Sequence, residues 1–73
     1  MTPALPVISG ADAIRILAKV GFEQSGQRGS HVKLRHKNGR VVIVPLHKEL
    51  ARGTLRSILR QAGLSAEEFA SLM

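Results

Sequence analysis

Asn38-Gly39 separates two runs of strand-forming residues, His31-Val-Lys-Leu-Arg-His36 and Arg40-Val-Val-Ile-Val44. Both turn residues tolerate positive φ, and such a dipeptide between strand-like runs is the strongest short-range hairpin signal a sequence carries. With those two residues as the turn, Lys37 faces Arg40 and Leu34 faces Ile43, and Val32 and Val41 join them on the core side. On the other face Arg35 meets Val42 and Lys33 meets Val44. Strand side chains alternate with period 2, so His31, Lys33 and Arg35 share that outward face. The pairing predicts a basic surface bearing one imidazole, with an apolar strip of Val42 and Val44 beside it where a protein partner can dock.

Helical signals flank the hairpin. Ser9 and Asp12 mark a helix start, Ile14, Leu17, Ala18 and Val20 recur at helical spacing, and Gly21 closes the segment. Phe22 to Gln27 reads as a weak first strand, and Gln27-Arg28-Gly29 turns into the second. Pro45 ends the third strand. Thr54 is placed to cap a helix carrying Leu55, Ile58, Leu59 and Ala62, with Arg52, Arg56 and Arg60 along another face. Gly63 suits the end of that helix, with Leu64 folding back, and Ser65-Ala-Glu-Glu68 is a capping-box pattern for a last short helix. The order α-β-β-β-α, plus a terminal helical turn, defines an α+β fold with one three-stranded antiparallel sheet and helices packed on one face. Residues 1–8, with Pro3 and Pro6, read as a flexible N-terminal extension, and 9–73 as a single domain.

A chain of 73 residues buries only about 60% of its unfolded surface, so any site is a surface groove. Without Cys there is no disulfide and no thiolate metal site, which fits a reducing compartment. No basic segment followed by an apolar run opens the chain, and no stretch approaches the roughly 20 apolar residues of a membrane helix. The expectation is a cytoplasmic protein that engages no membrane. The net charge of +6 is unevenly placed: Arg28 to Arg60 holds nine basic residues against one acid, Glu49. Such a field either keeps the chain soluble or attracts a polyanion. With no Trp or Tyr and two Phe, base stacking has little to work with, and recognition through phosphates and sugars is favoured.

The chemistry-bearing residues are few. The five acids, Asp12, Glu23, Glu49, Glu67 and Glu68, are scattered, whereas two-metal nucleases need convergent carboxylates. Ser30 lacks a visible His–Asp relay. His36 has inward parity but stands at the hairpin end, where exposure is expected. His47 falls opposite Ser30 in the ideal pairing, on the other face from His31, and is either an auxiliary to the site or a structural hydrogen-bonder. What remains is metal-free RNA cleavage. RNA carries its own nucleophile, the 2′-hydroxyl; an imidazole removes its proton, and cations stabilise the charge that develops on the phosphoryl oxygens. His31 is the candidate catalytic residue, with Ser30, Lys33 and His47 as auxiliary candidates. Arg28, Gly29, Lys33, Arg35, Arg52, Arg56 and Arg60 are candidate RNA contacts. The alternative is a double-stranded-RNA-binding module without catalysis.

Several pieces in order resemble one family: Gly21-Phe22, Gly29-Ser30-His31, Val42-Ile-Val-Pro45 with His47, Gly53-Thr-Leu-Arg-Ser-Ile-Leu59, Ala62-Gly63-Leu64-Ser65 and Glu68-Phe69. From Ser9 to Leu72 the chain is similar to the HicA toxins of toxin–antitoxin pairs. The resemblance implies a fold like a double-stranded-RNA-binding domain, and mRNA interferase activity through a single His, which falls on His31. It also implies a HicB-type antitoxin that masks the active site; with the strip read from strand parity, its expected contacts are His31, Val42 and Val44. The partners expected are RNA and that antitoxin, with the free toxin a monomer and no metal or other cofactor. The Pro-containing extension and the short Lys48–Arg52 loop depart from the family pattern.

Overall fold

Ser9 starts helix α1 (Gly10–Ala18) as its side chain predicts, accepting the Asp12 backbone N–H at 3.0 Å in the computed structural model, which describes residues 5–73. The helix winds down onto Gly21, whose φ of +98° lets the Phe22 N–H reach the Leu17 carbonyl. Strands β1 (Glu23–Arg28), β2 (His31–Arg35) and β3 (Val41–Pro45) follow as an antiparallel sheet in the order β1-β2-β3. Gly29 and Ser30 form the first turn. Gly29 alone of the two has positive φ, +59°, the pattern of a type II′ hairpin. An irregularity between Gln24 and Gly26 leaves Ser25 out of the strand register, with its hydroxyl donating to the Lys33 carbonyl at 3.4 Å.

The second turn corrects the expected register. Leu34 pairs with Val42 and Val32 with Val44, one residue away from the pairing that a two-residue Asn-Gly turn requires. Asn38 does not take positive φ, whereas Gly39 does at +96°, so the loop spans three residues, Lys37 to Gly39. The Gly39 N–H reaches the His36 carbonyl and the His36 N–H the Arg40 carbonyl, the arrangement of a type I turn closed by a left-handed glycine. Side chains hold it there. Asn38 donates its backbone N–H to His36 Nδ1 and accepts the Arg40 N–H on Oδ1 at 2.9 Å. A shift of one residue exchanges the two faces of a strand. Val42 and Val44 are therefore fully buried, and the outward pair is Val41 and Ile43, each 39% exposed.

Helix α2 (Arg52–Ala62) begins earlier than expected. Ala51 is its N-cap residue, with no side-chain cap, and Thr54 lies inside the helix. Buried Leu50, whose N–H bonds to the Ile8 carbonyl, ties down the approach ahead of Thr54. The other end is as predicted: Gly63 at φ +75° and the Leu64 N–H on the Leu59 carbonyl. Helix α3 (Ala66–Ser71) opens with the reciprocal capping box of Ser65 and Glu68.

Helices α1 and α2 pack against β3 on the face carrying Val32, Leu34, Val42 and Val44, and with Phe69 of α3 they close one core. The fold is the α+β arrangement expected, with the opposite sheet face open. β1 holds no buried residue and projects beyond the helices as a polar edge. The expected extension over residues 1–8 falls partly on residues 1–4, outside the described residues. Within the remainder, Ile8 is buried and Leu5 packs on the core, so this stretch is part of the fold.

Candidate functional site

Alternation in β2 puts His31, Lys33 and Arg35 in solvent and buries Val32 and Leu34 between them. Cross-strand partners share a face, so Arg28 joins His31 on one side and Pro45 on the other. Lys33 lies between Gly26 and Ile43, and Arg35 between Glu23 and Val41. Glu23 is the one acid in the three strands, at the end remote from His31. The His31 end is thus cationic, with a side-chain-free glycine at position 29 just before it.

The three histidines have separate fates. His36 is half-buried: Nδ1 accepts the Asn38 N–H, Nε2 lies 2.9 Å from the Val20 carbonyl, and its ring meets Phe22 at a centroid distance of 5.0 Å. Accepting at Nδ1 requires the proton on Nε2, which donates to Val20; this ring is a structural clasp. His31 is exposed, and among the described residues no hydrogen bond engages its ring. His47 is exposed and lines a depression with Ser9, Ala11, Leu46 and Lys48, a set without His31. The Leu46 N–H extends the β2–β3 ladder to the Ser30 carbonyl at 2.7 Å. Beyond Pro45 the alternation stops, with Pro45 buried and Leu46 exposed, so strand parity no longer assigns His47 to a face.

Gly10 holds this end of the sheet from behind. Its N–H bonds to the His47 carbonyl at 2.9 Å, and a Cβ there would collide with the Pro45 carbonyl. Arg40 and Gln61 were silent in the sequence. Arg40 lays its guanidinium over Gly63 and donates to the Gln61 carbonyl, placing a cation at the C-terminal end of α2 where the helix dipole favours one. Gln61 Oε1 accepts the outward-facing Ile43 N–H at 2.9 Å, closing the free edge of β3. Partners so distant in sequence leave no local pattern. Arg52, Arg56 and Arg60 are all exposed on α2, in the layer opposite the His31 face.

Among the described residues no group of three His, Asp or Glu side chains converges as a metal site, and no helix is long and apolar enough to cross a membrane. Two acids have carboxyls held below the usual range: Asp12 by hydrogen bonds from Ser9 and Arg15, and Glu68 by bonds from Ser65. Both lie in the first turns of their helices.

A small basic α+β domain, with helices on one face of its sheet and a bare imidazole on the other, is the class this structure defines. The family model described as HicA toxin of bacterial toxin-antitoxin matches residues 10–64, and the chain belongs to that family. It is also similar to a solved chain described as a toxin–antitoxin complex from Streptococcus pneumoniae, at 33% identity and a TM-score of 0.68, over 78% of this chain and 98% of that one. No curated protein matches.

Proposed function

We propose that this HicA-family toxin is a metal-independent endoribonuclease, an mRNA interferase, with His31 as its general acid/base. His31 takes the proton from a ribose 2′-hydroxyl, and that oxygen attacks the adjacent phosphorus. The bond from phosphorus to the 5′-oxygen breaks, leaving a 2′,3′-cyclic phosphate on one fragment and, once protonated, a 5′-hydroxyl on the other. Lys33, His47 or water supplies that last proton. Arg28 and Lys33 flank the position with cations that stabilise the charge gathering on the phosphoryl oxygens, and Arg35 extends the same face for the RNA backbone. Gly29 and Ser30 leave the approach open, and the three arginines of α2 belong to the same RNA-binding set.

The observation that carries this reading is the exposed His31 ring, unengaged among the described residues and flanked by Arg28 and Lys33 on one face. Incubating total RNA with the protein in excess chelator tests it directly. Cleavage should persist with EDTA and vanish in His31→Ala. Intact RNA together with salt-dependent binding would identify a non-catalytic double-stranded-RNA module instead.

The same face suits an antitoxin that masks the site. The exposed apolar pair Val41 and Ile43 adjoins Lys33 and Arg35 across the β2–β3 ladder and replaces Val42 and Val44 as the docking strip. Description of the similar chain as a toxin–antitoxin complex supports such a partner. Co-expression with the neighbouring reading frame should relieve growth arrest in the wild type, and Ile43→Asp should restore the arrest.

A further inference from the structure

Helix α2 carries arginine at positions 52, 56 and 60 and no acid at all. At 100° per residue the three fall within about 80° of one another, on the flank away from Gln61, and span about 12 Å along the axis. Each i, i+4 pair of like charge destabilises a helix, and a cation in the first turn opposes the helix dipole. Arg60, in the last turn, is favoured by the dipole. The two like-charge pairs and Arg52 in the first turn are not offset by any ion pair among the described residues, where the one such pair is Arg15 with Asp12, elsewhere in the fold. Local rules broken without internal compensation point to a ligand.

The direction of α2 says where that ligand runs. Arg40 reaches the C-terminal end of α2 from the 36–40 hairpin, and Gln61 sits at Ile43. The N-terminal end follows Pro45 by a short loop, and Pro45 is the cross-strand partner of His31. Arg52 therefore lies towards the His31 end of the sheet, and Arg56 and Arg60 lead away from it in the other layer. We propose that this flank is a track for the RNA backbone, holding the phosphates beyond the cleavage point as the strand leaves the His31 face and passes over α2. The span of about 12 Å corresponds to roughly three phosphates of one strand. The inference rests on the nuclease reading above for its starting point, but the track itself is a binding surface and can be tested without cleavage.

The variant R52Q/R56Q/R60Q should raise KM for a mixed-sequence RNA of 20 nucleotides at least tenfold more than for one of 5 nucleotides, with kcat little altered. In a His31→Ala background, which removes cleavage, the triple variant should lower the log–log salt slope of binding to the 20-nucleotide RNA by about 2, or roughly 0.7 per lost contact. Its melting temperature should hold or rise, because like-charge repulsion is relieved. An unchanged slope would make the arginines a solvating surface and overturn the track. A fall in melting temperature, or equal losses of kcat on both RNA lengths, would make them structural and overturn it as well. If the parent protein cleaves nothing but the slope still falls, the nuclease reading fails and the track stands.

Discussion

His31 opens β2 and His36 follows its last residue, and the two imidazoles are held in contrasting ways. At the His36 end each ring nitrogen has a partner, Phe22 lies against the ring, and the loop beyond is closed through Asn38. The proton on that ring is committed to Nε2. At the His31 end the turn is Gly29-Ser30, the neighbours on the same face are Arg28 and Pro45, and the ring stands in solvent. The contrast shows how one strand serves two purposes. A general base needs a free lone pair, and the clasped ring has none to give. The bare ring adds nothing to the hairpin and is free for chemistry.

The largest expected effect separates the two ends most sharply. His31→Ala should lower RNA cleavage by about 10²- to 10⁴-fold, the usual contribution of a positioned acid/base group, while stability stays within about 0.5 kcal/mol. Initial rates on a labelled RNA, with a thermal melt of the same sample, measure both. Cleavage at the wild-type rate would remove His31 from the mechanism.

His36→Ala should do the converse. It removes two hydrogen bonds and an aromatic contact, leaving the Val20 carbonyl and the Asn38 N–H without partners, at a cost of about 1–3 kcal/mol. Activity per folded molecule should survive. Nitrogen chemical shifts of the His36 ring should report a proton on Nε2; a proton on Nδ1 would contradict the clasp.

A third contrast lies on β3, between neighbours in sequence. Val44→Ala should cost about 2 kcal/mol, from two lost methyl groups and the cavity they leave. Ile43→Ser should change stability by less than about 0.5 kcal/mol. Denaturant titration of the two variants reads the register directly, since equal losses would mean that neither face is the open one.

That register also marks where the sequence stopped being legible. Helix starts at Ser9 and Ser65 and the end at Gly63 depend on contacts within six residues, and all three were readable; α1 stops at Ala18, short of the Gly21 that the sequence marked. The His31-Lys33-Arg35 face followed from parity within one strand. Val41 to Val44 is a continuous apolar run, so nothing in its own pattern says which pair is buried. The decision falls to the loop, where His36 is anchored to Val20, 16 residues away, and takes the Asn38 N–H that a two-residue turn would leave free. The same holds for α2: its start is fixed by Leu50 against Ile8 rather than by a capping side chain. Thr54 was the better local signal and lost to a tertiary one.

The smallest expected effect concerns the helical layer on which both ends of β2 rest. Glu68 bonds back to the Ser65 N–H, and Asp12 to Ser9 and Arg15, so both carboxyls are held below their ordinary values in the folded state. A carboxyl with a lowered folded value binds its proton more readily when unfolded. Its stabilisation is therefore complete above the unfolded value, here 3.8 for Asp12 and 4.5 for Glu68, and is lost as pH falls through the lower folded values. Melting temperature should be flat in this respect down to about pH 5 and then decline. Glu68→Gln should flatten part of that decline, because the amide oxygen can still accept the Ser65 N–H but no longer titrates. Both acids sit in first turns of the helical layer, so acid should loosen the helix starts while the His36 ring shifts still report the clasp; loss of that signal in step with the acid decline of Glu68 would mean that the sheet and its helical support come apart together.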